Sequence, residues 1–337
     1  MKLLSIIVPC YNSENYMERA INSALLGGQA VEIVIVDDGS SDKTPEIADH
    51  YAQYFPEVVQ TVHQKNGGPG EAINAGLRHA TGQYIKILDS DDWLDFSGFQ
   101  QILNFLRELE GHDQTIDLLI SNYVYDKQGA RRTKAMHYGS FMPIDREFTW
   151  ADVNFSPGKY MLMHSAIYRK AILEAAQVKL PKHRFYVDNL YVFAPLPFVK
   201  TMYYIDTTVY HYFIGRDDQS INEDVMIQRI DQQLAVNKEM VQIYDQANIT
   251  NPHLRNYMEN YLQIITAISS IFLIKDGTPE SLHKKDALWA FIEKTNPDLY
   301  NRLHSGFLGH GVNLPGRLGR HTAIGAYRIV KRIYGFN

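Results

Sequence analysis

At 337 residues, with 45% hydrophobic and 21% charged, the chain is long enough for one large domain with an appendage, or for two domains. Its formal net charge of −5 hides an asymmetry: residues 1–95 carry six Lys/Arg against fourteen Asp/Glu, which argues against a nucleic-acid groove there. A single cysteine, Cys10, excludes an intrachain disulfide and a zinc set and points to a reducing compartment.

The run between Lys2 and Pro9 is too short for a signal-peptide core followed by a cleavage site, so a cytoplasmic chain is expected. Leu3–Val8 is an apolar run ended by Pro9, and Glu14–Leu26 has helical spacing (Tyr16, Ala20, Ile21, Ala24, Leu25) with Ser13 as N-cap. Glu32–Val36 reads as a second strand, followed by the turn Asp37-Asp38-Gly39-Ser40-Ser41-Asp42 and a helix over Lys43–Tyr54. Val58–His63 is a third strand, Pro69–Ala80 a helix and Tyr84–Leu88 a fourth strand, set off by Gly82. This alternation implies right-handed βαβ crossovers and a parallel sheet covered by helices. Ligands bind such sheets beyond the carboxyl ends of the strands, where the polar clusters at 9–12, 37–42, 63–68 and 89–92 all fall.

The last cluster, Asp89-Ser90-Asp91-Asp92, is the most informative. Three carboxylates closing a buried strand repel one another and are costly to desolvate unpaired. A divalent cation resolves the conflict. Asp89 and Asp91, two apart on an extended chain, project to one side as shared ligation of Mn²⁺ or Mg²⁺ requires. The plainer alternative is a solvated acidic turn that caps a helix starting near Ser97.

Further on, Asp117–Tyr125 and Tyr160–Tyr168 look like strands, Ala171–Ala176 like a short helix, and Thr201–Phe213 like one or two strands. Phe185–Phe198 is rich in aromatics. From Val225 through Leu288–Ile292 the pattern is helical. Its longest uncharged stretch, between Glu259 and Lys275, is too short to span a membrane and suits a buried or oligomer-forming helix. Pro315–Arg320 is loop-like, and Thr322–Tyr334 is again helical. Ile324, Tyr327, Val330 and Tyr334 fall near one helical face, with Arg328, Lys331 and Arg332 elsewhere, which suits either an anionic membrane surface or docking onto the protein.

The strings IIVPCYNSENYMERAINSAL, VEIVIVDDGSSDKT and QKNGGPGEAINAGLRHATGQYIKILDSDDWLD, in this order, closely resemble glycosyltransferase family 2 across about the first hundred residues. The resemblance implies a GT-A fold: a Rossmann-like, nucleotide-binding mixed sheet flanked by helices, here with a C-terminal helical region. It also implies a nucleotide-sugar donor, a divalent metal and inversion at the anomeric carbon. By resemblance, Pro9, Tyr11 and Asn12 lie at the nucleobase and Asp38 accepts a hydrogen bond from it. Asn66 and Gly67 approach the ribose and phosphates, and Asn74 lies near base and ribose, although no Arg or Lys stands between Asn66 and Arg78. Asp89, Ser90 and Asp91 form the DxD segment, with Asp91 as the direct metal ligand and Asp89 in the ribose or metal shell.

In FYVDNLYVF, Asp188 matches the acidic residue that the family carries before a helix, often as Glu-Asp, though Val187 replaces the Glu here. A carboxylate among Phe185, Tyr186, Tyr191 and Phe193 should be desolvated and its pKa raised toward that of a general base. In YHYFIGRDDQS, Arg216, Gln219 and Ser220 match the segment that closes over the donor diphosphate, and His211 could complete the metal shell or simply pack in a strand.

The organisation expected is a catalytic domain over 1–222, split into a nucleotide-binding half (1–95) and an acceptor-binding half (96–222), then a helical region over 223–337 with a basic tail. The function expected is metal-dependent, inverting transfer of a sugar from a nucleotide donor, UDP-linked, to a hydroxyl of a growing cell-surface glycan or lipid-linked acceptor. Two alternatives stand beside it. A sugar-nucleotide pyrophosphorylase would carry a Gly-rich, Arg-containing loop where PCYNSEN stands. A non-catalytic glycan-binding scaffold would be expected to lack one of Asp89, Asp91 or Asp188, and all are present.

Overall fold

The computed structural model describes residues 2–127, 129, 133–156, 158–215, 219 and 222–334. The chain divides into two compact units, residues 1–154 with 161–214 and residues 155–160 with 215–337.

The first unit is built on one sheet whose described strands are β1 (Leu4–Cys10), β2 (Val31–Asp37), β3 (Val59–His63), β4 (Tyr84–Ile87), β5 (Trp93–Leu94), β6 (Leu118–Lys127), β7 (Lys134–Met136), β8 (Glu147–Phe148), β9 (Ala166–Arg169) and β10 (Met202–Ile214). The order is β3-β2-β1-β4-β9-β6-β10-β5, with β7 on β6 and β8 on β10. The first four strands pair in parallel. β9 then runs antiparallel to both β4 and β6, so the sheet is mixed rather than wholly parallel. β1 and β2 are buried along nearly their whole length, which is why they read as continuous apolar runs instead of alternating ones. Each such Val, Ile or Leu contributes about 1.5–3 kcal/mol of burial.

Helices α1 (Met17–Leu25), α2 (Thr44–Tyr54), α3 (Pro69–His79), α4 (Phe96–Gly111), α5 (Lys170–Ala175) and α6 (Asp188–Phe193) flank this sheet. Ser13 does not cap α1 with its side chain; its carbonyl takes the Tyr16 and Met17 N–H groups while its hydroxyl turns to Ser90. The cap of α4 is Asp95, which accepts from Gly98 N at 2.9 Å. The expected strand at Tyr160–Tyr168 shortens to Ala166–Arg169, because Met163–Ser165 forms a single 3₁₀ turn.

The second unit is helical: α7 (Glu223–Gln228), α8 (Ile230–Gln246), α9 (Pro252–Asp276), α10 (Pro279–Thr295), α11 (Pro297–Ser305), α12 (Phe307–Val312) and α13 (Gly316–Tyr334). α9 is its centre, buried from Tyr261 to Ile274 along most positions, and it contacts α8, α10, α11, α12 and α13. Asn251 and Thr278 cap α9 and α10. The segment expected to be a loop at Pro315–Arg320 instead enters α13 at Gly316.

Candidate active site

The four polar clusters are knit together at one edge of the sheet. Asn12, at φ 50°, accepts from Ser41 N at 2.9 Å and its own N–H donates to Ser40 Oγ at 3.0 Å. Asp37 accepts from Ser40 N at 3.0 Å and meets His63 Nδ1 at 3.0 Å, so it serves the turn. Asp38 is buried; its Oδ1 accepts from Gln64 Nε2 at 2.7 Å and Gly67 N at 2.8 Å, and its Oδ2 from Gly68 N at 2.8 Å. Its carboxylate therefore organises the glycine loop itself. Gly68, at φ 82°, leaves no room for a Cβ against the His183 backbone, whose N–H donates to Gly67 O at 2.6 Å. Asn66 Nδ2 donates to Asp38 O at 3.0 Å. Asn74 is taken up elsewhere in the fold, its amide bracketing Leu180 by donating to O at 2.8 Å and accepting from N at 2.9 Å. Tyr11 is 53% exposed beside this edge and Pro9 lies within β1.

At the fourth strand the chain is not extended. β4 ends at Ile87, and Asp92 N donates to Asp89 O at 3.0 Å, closing a turn through Ser90 and Asp91. The turn, rather than a strand pleat, brings Asp89 and Asp92 together. Ser90 Oγ meets Ser13 Oγ at 2.9 Å. Asp92 is wholly buried and accepts from Tyr210 Oη at 2.6 Å and Phe213 N at 2.7 Å, while Tyr210 Oη takes the Asp89 N–H at 3.1 Å.

Facing these carboxylates is His164, a residue the sequence reading missed. Its Nε2 lies 3.8 Å from Asp89 Oδ2 and 4.0 Å from Asp92 Oδ2. The residue is 5% exposed, its ring stacks on Tyr212 at 4.0 Å, and neither ring nitrogen has a hydrogen-bond partner. Lys86, a lone lysine in the apolar fourth strand, holds it in place: the buried Nζ donates to His164 O at 2.6 Å. Burial pushes the Lys86 amine down to about 7, against the upward pull of Asp89 and Asp92. Burial likewise pushes the His164 imidazole down to about 3, leaving it neutral with a lone pair on one ring nitrogen.

The acids repel. Burial, then the charges of Asp91 and Asp188, push Asp89 up to about 7. Burial, Asp91 and Asp89 raise Asp92 well above the usual carboxylate range. Asp188, the first residue of α6, is pushed up to about 6 by burial, partly offset by backbone N–H groups at the helix start.

His211 stands elsewhere. Successive residues of a strand face opposite ways, so Tyr210 and Tyr212 meet His164 while His211 stacks on Trp93 at 4.9 Å. Its nitrogens approach Asp95 (3.8 Å) and Asp126 (3.5 Å) instead. Gln219 is buried and accepts from Gly215 N at 2.8 Å. Arg216 and Ser220 lie outside the described residues. Among the described residues, the group able to hold a metal ion is Asp89, Asp92 and His164.

The family model for glycosyl transferase family 2 matches residues 5–175, and the chain belongs to that family. The putative glycosyltransferase EpsH of Bacillus subtilis (strain 168) is 29% identical over 229 residues, covering 63% of this chain and 60% of EpsH. The minor teichoic acid biosynthesis protein GgaB of the same organism is 37% identical over 118 residues, 34% of this chain and 13% of GgaB. The chain thus spans less than two thirds of the length of these curated relatives. Among solved structures, S. aureus TarS 1-349 in complex with UDP-GlcNAc aligns with a TM-score of 0.68 at 20% identity, over 99% of this chain and 91% of TarS 1-349. The Pyrobaculum calidifontis mannosyltransferase PcManGT, solved with GDP-Man and Mn²⁺, gives 0.51 at 16% identity, over 99% and 88%. The fold is GT-A, with a helical region after it.

Proposed function

We propose that this chain is an inverting glycosyltransferase that moves a sugar from a UDP-linked donor to a hydroxyl of a cell-surface glycan or its lipid-linked precursor. The observation that carries this reading is the placement of Asp188, at the start of α6, close enough to the Asp89–Asp92–His164 group for its charge to be felt at Asp89, with burial pushing its own carboxyl up to about 6. A base of that pKa is ionised at neutral pH yet still takes a proton readily. Asp188 accepts the acceptor hydroxyl's proton as that oxygen attacks the anomeric carbon opposite the leaving diphosphate, which gives inversion. Family membership supports the reaction class. The UDP-GlcNAc in TarS and the teichoic acid role printed for GgaB support the donor and acceptor classes.

The acid cluster fits a divalent cation on two grounds. Its carboxylates are mutually repelled, and the neutral His164 ring is buried with both nitrogens orphaned. Asp89, Asp92 and His164 would hold the ion, with Asp91 beside them as the further DxD donor. Such an ion, when bound, supplies Lewis-acid neutralisation of the diphosphate. Lys86 and Tyr210 keep the donor atoms in register, and the Asp38-ordered glycine loop presents bare backbone to the nucleotide. One cysteine and nucleotide-sugar chemistry support a cytoplasmic location for the enzyme.

The test is release of UDP from a panel of UDP-sugars with Mn²⁺ or Mg²⁺, followed by assignment of the product's anomeric configuration by NMR. Retention, or no turnover of any nucleotide sugar with any glycan acceptor tried, counts against the proposal. Pyrophosphate-dependent cleavage of the donor to UTP would point to a pyrophosphorylase instead.

A further inference from the structure

The two faces of the C-terminal helix α13 differ. The face singled out by sequence, around Tyr327, is the one that docks: the Tyr327 and Phe272 rings meet edge-on at 6.0 Å and Ala323 is buried. In the first turn Gly319 is buried against the chain that enters the helix, where a Cβ would lie 2.5 Å from Leu314 O. The opposite face is open. Leu318 is 84% and Ile329 62% exposed, and their separation of eleven residues is close to three helical turns, so both point the same way. Arg317, His321 and Arg328 are also exposed and border this pair along one side of the helical wheel. Phe307, opening α12 against which α13 packs, is 88% exposed. From residue 301 onward there are six Lys/Arg and no acid.

We infer that the outward face of α13, with Leu318 and Ile329 at its centre, seats the protein on an anionic lipid bilayer. Apolar side chains bordered by cations match an interface whose headgroups are negative and whose acyl region begins just beneath them. Among the described residues no helix is long and apolar enough to cross a membrane. The charge complementarity favours lipid over a second copy of the chain, because two copies would set Arg317 and Arg328 against like charge. The inference stands independently of the catalytic reading.

Sedimentation of the full chain with phosphatidylcholine vesicles, with and without phosphatidylglycerol, tests it. Pelleting is expected with the anionic vesicles and should weaken as salt rises. Leu318→Asp with Ile329→Asp should lower the partition coefficient at least about tenfold. Arg317→Gln and Arg328→Gln should each lower it about fivefold on anionic vesicles only. Circular dichroism and the unfolding midpoint should not change, since these side chains are exposed. Absence of pelleting, or equal pelleting of the Asp double variant, overturns the inference. So does a wild-type dimer that the double variant converts to monomer while vesicle binding is untouched, which would assign the face to self-association.

Discussion

Asp188→Asn separates the catalytic role of this carboxyl from its structural cost. In the folded chain its pKa is raised from 3.8 to about 6, chiefly by burial. Because the folded value exceeds the unfolded one, the group's contribution to stability is fully present below about pH 4 and is lost as pH rises through about 6. Two pH units correspond to about 3 kcal/mol at most, and partial exposure and solvent relaxation draw this down toward about 1 kcal/mol. Asparagine carries no charge to desolvate. The variant should therefore match wild type in denaturant stability near pH 4 and exceed it by about 1–3 kcal/mol above pH 7. Sugar transfer should fall by about 10²–10⁴-fold, as for loss of a general base. In wild type, kcat/KM should drop as pH falls through about 6. Urea unfolding followed across this pH range, alongside coupled UDP release, measures both effects. A variant that is no more stable than wild type at pH 8, or one that keeps near-full activity, would refute the reasoning.

His164→Ala removes one candidate donor from the acid group. It should weaken Mn²⁺ binding, read by EPR or calorimetry, by about tenfold or more, whereas His211→Ala should leave it within about twofold because His211 faces other carboxylates. Lys86→Met takes away the donor that fixes the His164 carbonyl at 2.6 Å. It should lower both stability and Mn²⁺ affinity, and unchanged affinity would dismiss its positioning role. Asn74→Ala leaves the Leu180 backbone N–H and C=O without their partner. A loss of about 1–3 kcal/mol in chemical denaturation is expected, with UDP affinity falling less than stability.

Local pattern alone was enough for the first hundred residues. Near-continuous apolar strands, helical spacing between them and glycine or aspartate at the turns are properties of neighbours in the chain, and they determined the βαβ order and the edge where the polar clusters gather. The family strings at Pro9–Asn12, Asp37–Asp38 and Asp89–Asp92 depend on short spacing and were legible for the same reason. Partners distant in sequence were not. The antiparallel insertion of β9 and the entry of α13 at Gly316 depend on pairing across the fold. His164 lies 75 positions from Asp89 and meets it only because β9, held by Lys86, sits between β4 and β6. A lone lysine in an apolar strand and a lone histidine in MLMHSAIYRK were the available signals, and each reads equally well as core packing. His211 drew notice through its motif, yet strand alternation turns it to the other face. Similarly, both sides of the last helix carry apolar residues, and only packing against α9 decided which side is left outward. Residue type and spacing specify what chemistry a chain carries; which side chains face one another follows from the sheet order and the buried contacts that close it.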